Sequence, residues 1–250
     1  MIDTHAHLLS VDTEKVISTM ANNNLEAIVN IGTTIDDSTR GLALAKKYKN
    51  IYQVVGIYPE YSDGVTDEDL QKIEELAKDE KVVAIGEIGL DYHGEKFDKK
   101  KQKEIFVKQL EIANKLNLPF CIHCRAAVDE LYDILFEHKN LINHSGLMHC
   151  YSEGSEWFQK FLDLGMFISL SGNITYKKSD KAFLKSLPLD RILVETDSPY
   201  LSPQVVRGKP NEPANVRYVL DFISKEIGIS YEELEKITTK NAKKFYGIKD

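Results

Sequence analysis

Apolar runs of strand length alternate eight times with longer amphipathic stretches, and few folds accommodate that rhythm. The runs predict strands at Ile2–His7, Ala27–Ile31, Tyr52–Ile57, Val82–Gly86, Phe120–His123, Leu147–His149, Phe167–Leu170 and Ile192–Glu195. Helical patterns lie between them, at Glu14–Asn23, Thr39–Tyr48, Asp67–Lys78, Lys101–Leu116 and Val128–His138. Thr66 with Asp69, and Ser230 with Glu233, stand at capping-box spacing before helices. Near-continuous apolar strands each followed by a helix imply a parallel sheet covered by helices. Eight such units in 250 residues favour a closed α/β barrel, a (β/α)8 fold, over an open doubly wound sheet. The expectation is one domain over residues 1–250, with an extra helix at the C-terminal end. Asp3-Thr4-His5-Ala6-His7 stands where a nucleotide-binding glycine loop would follow the first strand. The longest irregular stretch, Ser198–Pro213, reads as a functional loop rather than a linker.

Charge and cysteine content narrow the function classes. A net charge of −7 argues against a general polyanion binder, although metal ions can supply local positive charge at a phosphate site. Three cysteines make no disulfide framework. Cys121 and Cys124 have C-x-x-C spacing but sit in a strand, where residues three apart face opposite ways, so they are poorly placed to chelate one ion. With the motif starting at Asp3 no cleavable signal is expected, and no apolar stretch approaches the ~18 residues of a membrane span. A cytoplasmic protein without a membrane or obligate protein partner is expected.

Four of the seven histidines fall at the C-terminal ends of three predicted strands. His5 and His7, two apart on a strand, point the same way. His123 and His149 end the fifth and sixth strands, and Glu87 and Asp197 follow the fourth and eighth. In a barrel those ends converge on one mouth, where active sites of this fold lie. Scattered core histidines would not collect there. Four imidazoles and two carboxylates suit zinc or manganese, or magnesium with water completing its shell. Six ligands exceed the need of one catalytic ion, and two divalent ions sharing a carboxylate, about 3.5–4 Å apart, use the set better.

Strand parity turns Asp3 and Glu195 inward beside these ligands. Each then either accepts a hydrogen bond from a ligand imidazole or pairs with a buried Lys or Arg. His138 and His144 are expected on the surface, and His93, beyond Glu87, stays outside the ligand set.

The ordered motifs resemble the TatD family of metal-dependent deoxyribonucleases, within the amidohydrolase-like TIM barrels. The match runs through Asp3-Thr4-His5-Ala6-His7-Leu8, Gly86-Glu87-Ile88-Gly89-Leu90-Asp91-Tyr92, His123-Cys124-Arg125-Ala126-Ala127 and His149-Cys150-Tyr151-Ser152. It continues in Glu195-Thr196-Asp197-Ser198-Pro199-Tyr200-Leu201, Arg207-Gly208-Lys209, Asn211-Glu212-Pro213, Asn241 and Phe245-Tyr246-Gly247. The resemblance implies a TIM barrel and hydrolysis of DNA phosphodiester bonds, often from the 3′ end, with metal ligands at His5, His7, Glu87, His123, His149 and Asp197. Departures from the family pattern at Leu9, Tyr58 and Ala126 fall at no ligand position, so metal binding is still expected, but they bear on substrate preference and rate.

The expected mechanism is two-metal hydrolysis, with His5, His7 and Asp197 on one ion, His123 and His149 on the other, and Glu87 bridging. A metal-activated water attacks phosphorus and Asp197 takes its proton. Arg125 is the first candidate for a phosphate clamp and Arg207 a second, an ordinary salt bridge being the alternative for each. Tyr151 either stacks on a base or fills the mouth. The competing reading is hydrolysis of an ester or amide, in a small molecule or an aminoacyl-tRNA, by the same centre.

Overall fold

The apolar rhythm reappears as β1 (Ile2–Ala6), α1 (Thr13–Thr19), β2 (Ala27–Ile31), α2 (Ile35–Lys47), β3 (Ile51–Val55), α3 (Asp67–Leu76), β4 (Val82–Asp91) and α4 (Lys99–Leu116). It continues as β5 (Phe120–Arg125), α5 (Val128–Glu137), β6 (Gly146–Met148), α6 (Gly154–Asp163), β7 (Phe167–Leu170), β8 (Ile192–Val194), α7 (Val216–Ile227) and α8 (Tyr231–Tyr246). This computed structural model describes residues 1–94, 97–142 and 146–249, and His144 lies outside the described residues. The strands belong to one eight-stranded sheet and follow each other in chain order. Among the described residues no helix is long and apolar enough to cross a membrane.

Two compact units divide the chain: Met1–Asn30 with His149–Gln159 and Phe167–Asp250, and Ile31–Met148 with Lys160–Met166. In the first, β1 and β2 pair in parallel from Ile2↔Ala27, and β7 pairs with β8. The chain leaving β8 returns to β1: the Asp197 N–H donates to His5 O at 2.9 Å, and the His7 N–H to Ser198 O at 2.9 Å. The expected extra helix is α8. It is tied beneath these strands by Tyr246 Oη donating to Thr4 O at 3.0 Å and by Asn241 Nδ2 donating to Ile192 O at 2.9 Å.

In the second unit β3, β4, β5 and β6 pair successively in parallel. Ile85, Ile88, Phe120 and Leu147 are fully buried along them, each such side chain contributing ~1.5–3 kcal/mol by leaving water. The Thr66–Asp69 capping box forms in both directions, fixing the start of α3. At α8 only half of the expected box forms, Ser230 Oγ accepting from the Glu233 N–H at 3.1 Å.

Two expectations are corrected. β4 and β5 do not stop at Gly86 and His123 but run on to Asp91 and Arg125, paired residue by residue from Ile88↔Ile122 to Asp91↔Arg125. Glycine and charge there read as a strand end, yet Gly89 permits the continuation, since a Cβ on it would stand 2.0 Å from His123 O. Between β7 and β8 no α-helix is found among the described residues, only 3-10 turns at Gly172–Thr175 and Ala182–Ser186. That stretch lacks a helical apolar face and contains Pro188. Instead its Phe183 packs on Phe158 and Tyr151, ring centroids 4.9 and 5.4 Å away.

Candidate metal centre

In the first unit four of the expected ligands converge. His5 is the fourth residue of β1, fully buried, and His7 follows the strand's end. His149 stands one residue past β6. Asp197 lies beyond β8 with φ +56°, a left-handed turn that points its carboxylate back towards β1. Its Oδ1 is 3.3 Å from His7 Nε2 and 3.6 Å from His5 Nε2. The imidazoles of His5 and His149 stack at 4.0 Å. His5, His149 and Asp197 each offer a ligand atom, all within 4.8 Å of one another. Burial pushes the Asp197 carboxyl up, but the neighbouring His7, His5 and His149 outweigh it and hold the group below the usual carboxylate range.

The two deeper acids divide. Glu195 Oε1 lies 3.2 Å from His149 Nδ1 and also accepts the Cys150 N–H at 2.8 Å, so it fixes the ring of a candidate ligand. Among the described residues Asp3 meets neither a candidate ligand's imidazole nor a Lys or Arg. It accepts the Thr196 hydroxyl at 2.5 Å and the Thr196 and His5 N–H groups at 2.9 and 3.3 Å. Burial raises the Asp3 carboxyl well above its ordinary value despite these bonds.

The second unit holds Glu87 and His123. Both lie inside strands rather than at their ends: β4 is buried throughout around Glu87, whereas β5 is partly exposed from His123 onward. Glu87 Oε1 is 3.0 Å from His123 Nδ1, and on the ring's other side Asp91 Oδ2 is 2.9 Å from Nε2. The Tyr58 hydroxyl donates to the same Asp91 oxygen at 2.9 Å and stands 3.1 Å from His123 Nε2. Burial, with Glu87 and Asp91 nearby, drives the Tyr58 phenol far above its normal range, so it stays a proton donor. Asp91 and Tyr58 as partners of His123 escaped the sequence reading. The signal for Asp91 was present: Glu87, Gly89 and Asp91 share one strand face if β4 continues.

Arg125 ends β5, exposed, with no ion pair among the described residues. Arg207 is exposed, its guanidinium 4.6 Å from the Tyr176 ring centroid. Tyr151 is corrected. It is 2% exposed, its hydroxyl donating to Gly154 O at 2.7 Å, and it fills the core rather than offering a face to a ligand. His93 is exposed and His138 partly so. None of the cysteines forms a disulfide, and Cys121 is buried where Cys124 is partly exposed, as opposite strand faces require.

These donors fit divalent metal ions. In the first unit neither Asp197 nor Glu195 meets a Lys or Arg among the described residues. Glu195 Oε2 is buried without a hydrogen-bond partner. Acids in that state call for a cation, and imidazole with carboxylate suits zinc, manganese and related ions.

The family model for TatD-related DNases matches residues 2–247. The uncharacterized metal-dependent hydrolase YabD of Bacillus subtilis is 39% identical, over 99% of both chains. The uncharacterized metal-dependent hydrolase YcfH of Escherichia coli is 35% identical, over 99% of this chain and 96% of the other. Among solved structures, the TatD homologue YjjV of Escherichia coli superposes with a TM-score of 0.93 at 27% identity, covering 100% of this chain and 98% of that one. The fold class is therefore the α/β barrel expected.

Proposed function

The chain belongs to the family of TatD-related DNases and is a metal-dependent hydrolase, and on that premise we propose that it hydrolyses DNA phosphodiester bonds, releasing nucleotides from 3′ ends of single strands. His5, His7, Glu87, His123, His149 and Asp197 would hold the divalent ions, two of which would use this ligand set fully. The observation that carries this reading is the convergence of His5 and His7 Nε2 on one Asp197 oxygen. His123 presents Nδ1, because Nε2 is taken by Asp91.

Bound ions supply an acidified water and neutralise charge growing on the phosphoryl oxygens. The chain's own groups do the rest. Asp197, ionised between two imidazoles, accepts the proton of the attacking water as the new P–O bond forms. The bond from phosphorus to the leaving oxygen breaks, and the proton passes to that oxygen. Arg125, exposed and without an ion pair among the described residues, offers its planar fork to the phosphate oxygens. Metal-stripped protein, refilled with magnesium, manganese or zinc, is expected to release nucleotides from labelled single-stranded DNA. His123→Ala and Asp197→Asn are expected to abolish release. A folded, metal-binding protein that cleaves no DNA contradicts the nuclease reading and redirects the search to ester and amide substrates.

A further inference from the structure

Two of the four exposed large apolar side chains among the described residues, Tyr200 at 57% and Val205 at 68%, lie in the loop after β8. Tyr200 is exposed although its backbone is fixed. Its N–H donates to Asp197 O at 2.8 Å, and its carbonyl accepts Asn211 Nδ2 at 2.8 Å, that buried amide also holding Thr196 O at 2.9 Å. The ring meets His7 edge to face, centroids 5.8 Å apart. A fixed, open aromatic face beside a candidate metal ligand offers a flat partner a stacking surface.

The same loop is braced further along. The Tyr176 hydroxyl donates to Ser202 O at 3.0 Å, the Gln204 N–H donates to Thr175 Oγ1 at 2.8 Å, and a Cβ on Gly172 would stand 1.9 Å from Leu201 O. On this support the Arg207 guanidinium lies over the Tyr176 ring. Across the Ser198–Pro213 loop the charged side chains are Arg207, Lys209 and Glu212, net cationic in a chain of net charge −7, and Glu212 lies 3.9 Å from Lys15 Nζ. An apolar protein partner would not require that local reversal of sign, whereas a polyanion carrying flat bases would.

We propose that this loop is a nucleobase-binding site: Tyr200 stacks on a base flanking the scissile phosphate, and Arg207, pre-oriented on Tyr176, holds the adjoining backbone phosphate. The proposal rests on the nuclease reading. Stacking on tyrosine is tolerant of base identity, so the site sets strand geometry and not sequence. It also favours unpaired ends, whose bases are free to leave their neighbours.

The test is a cycle of variants against substrates, with the metal-loaded enzyme. On single-stranded DNA, Tyr200→Ala is expected to lower kcat/KM by roughly tenfold to a hundredfold, while Tyr200→Phe, which keeps the ring, stays near wild type. An abasic residue at the last or penultimate position is expected to cost wild type a similar factor, with no further loss on adding Tyr200→Ala. Fluorescence of 2-aminopurine beside a non-hydrolysable terminal linkage should be quenched by wild type and Tyr200→Phe but not by Tyr200→Ala. Cleavage by wild type with equal quenching and undiminished kcat/KM in Tyr200→Ala overturns the stacking site alone. Wild-type protein that cleaves no DNA with any metal overturns the nuclease reading, and the stacking site with it.

Discussion

Asp91 Oδ2 stands 2.9 Å from Nε2 of His123, on the side of the ring opposite Glu87. A carboxylate there favours the tautomer with its proton on Nε2 and leaves Nδ1 available to the proposed metal ion. Asp91→Asn is expected to weaken binding of one of two ions by about 10–100-fold while leaving the other near wild type. Calorimetric titration of the metal-stripped protein checks this, and two unchanged binding steps would show that Asp91 does not orient the ligand.

Glu195 and Asp3 are equally buried acids with different duties, and their amides should separate. Glu195→Gln loses the charge facing His149 Nδ1 and is expected to weaken metal binding. Asp3→Asn breaks the link to Thr196 and is expected to cost about 1–3 kcal/mol of stability while metal affinity of the folded protein holds. Melting and metal titration of both variants give the comparison, and a reversed pattern would refute the assignment.

At Gly89, β4 lies too close to the β5 backbone to accept a side chain. Alanine there would force its Cβ within 2.0 Å of His123 O at a φ of +138°. We expect Gly89→Ala to destabilise the protein by at least ~1–3 kcal/mol and to cost the His123 metal site. Wild-type melting together with full metal content would contradict this.

At the surface, the Lys103 and Lys99 ammonium groups and the Tyr92 hydroxyl hold Glu130 down to about 2. A depressed carboxylate contributes stability above its unfolded value and loses it as pH falls through the folded one. The difference in Tm between wild type and Glu130→Gln should therefore be constant above about pH 5 and vanish towards pH 2. Its size should stay below about 1 kcal/mol and shrink with salt, because the group is exposed. A difference that grows on acidification would refute the ion-pair account.

Most of the strand positions were legible because buried parallel strands leave continuous apolar runs, and β2 and β7 match residue for residue. The gathering of the candidate ligands was legible because histidines at strand ends have few structural uses, and the structure brings His5 and His149 to Asp197 and His123 to Glu87. What escaped was contact across strands. The continuation of β4 past Glu87 depends on Gly89 meeting His123 O, which no local pattern records. Asp91 and Tyr58 reach His123 from different strands or the loops after them, and the burial of Tyr151 depends on Phe158 and Phe183, remote in sequence. The helix expected between β7 and β8 failed for a local reason, since Gly172 and Pro188 bound a stretch without helical periodicity.

The central claim is a two-ion centre built from His5, His7, Glu87, His123, His149 and Asp197, and anomalous scattering from a manganese-loaded crystal tests it most directly. The account predicts two peaks about 3.5–4 Å apart, one bound by His5, His7 and Asp197, the other by His149 and Nδ1 of His123. A single peak, or peaks away from these six side chains, would contradict it.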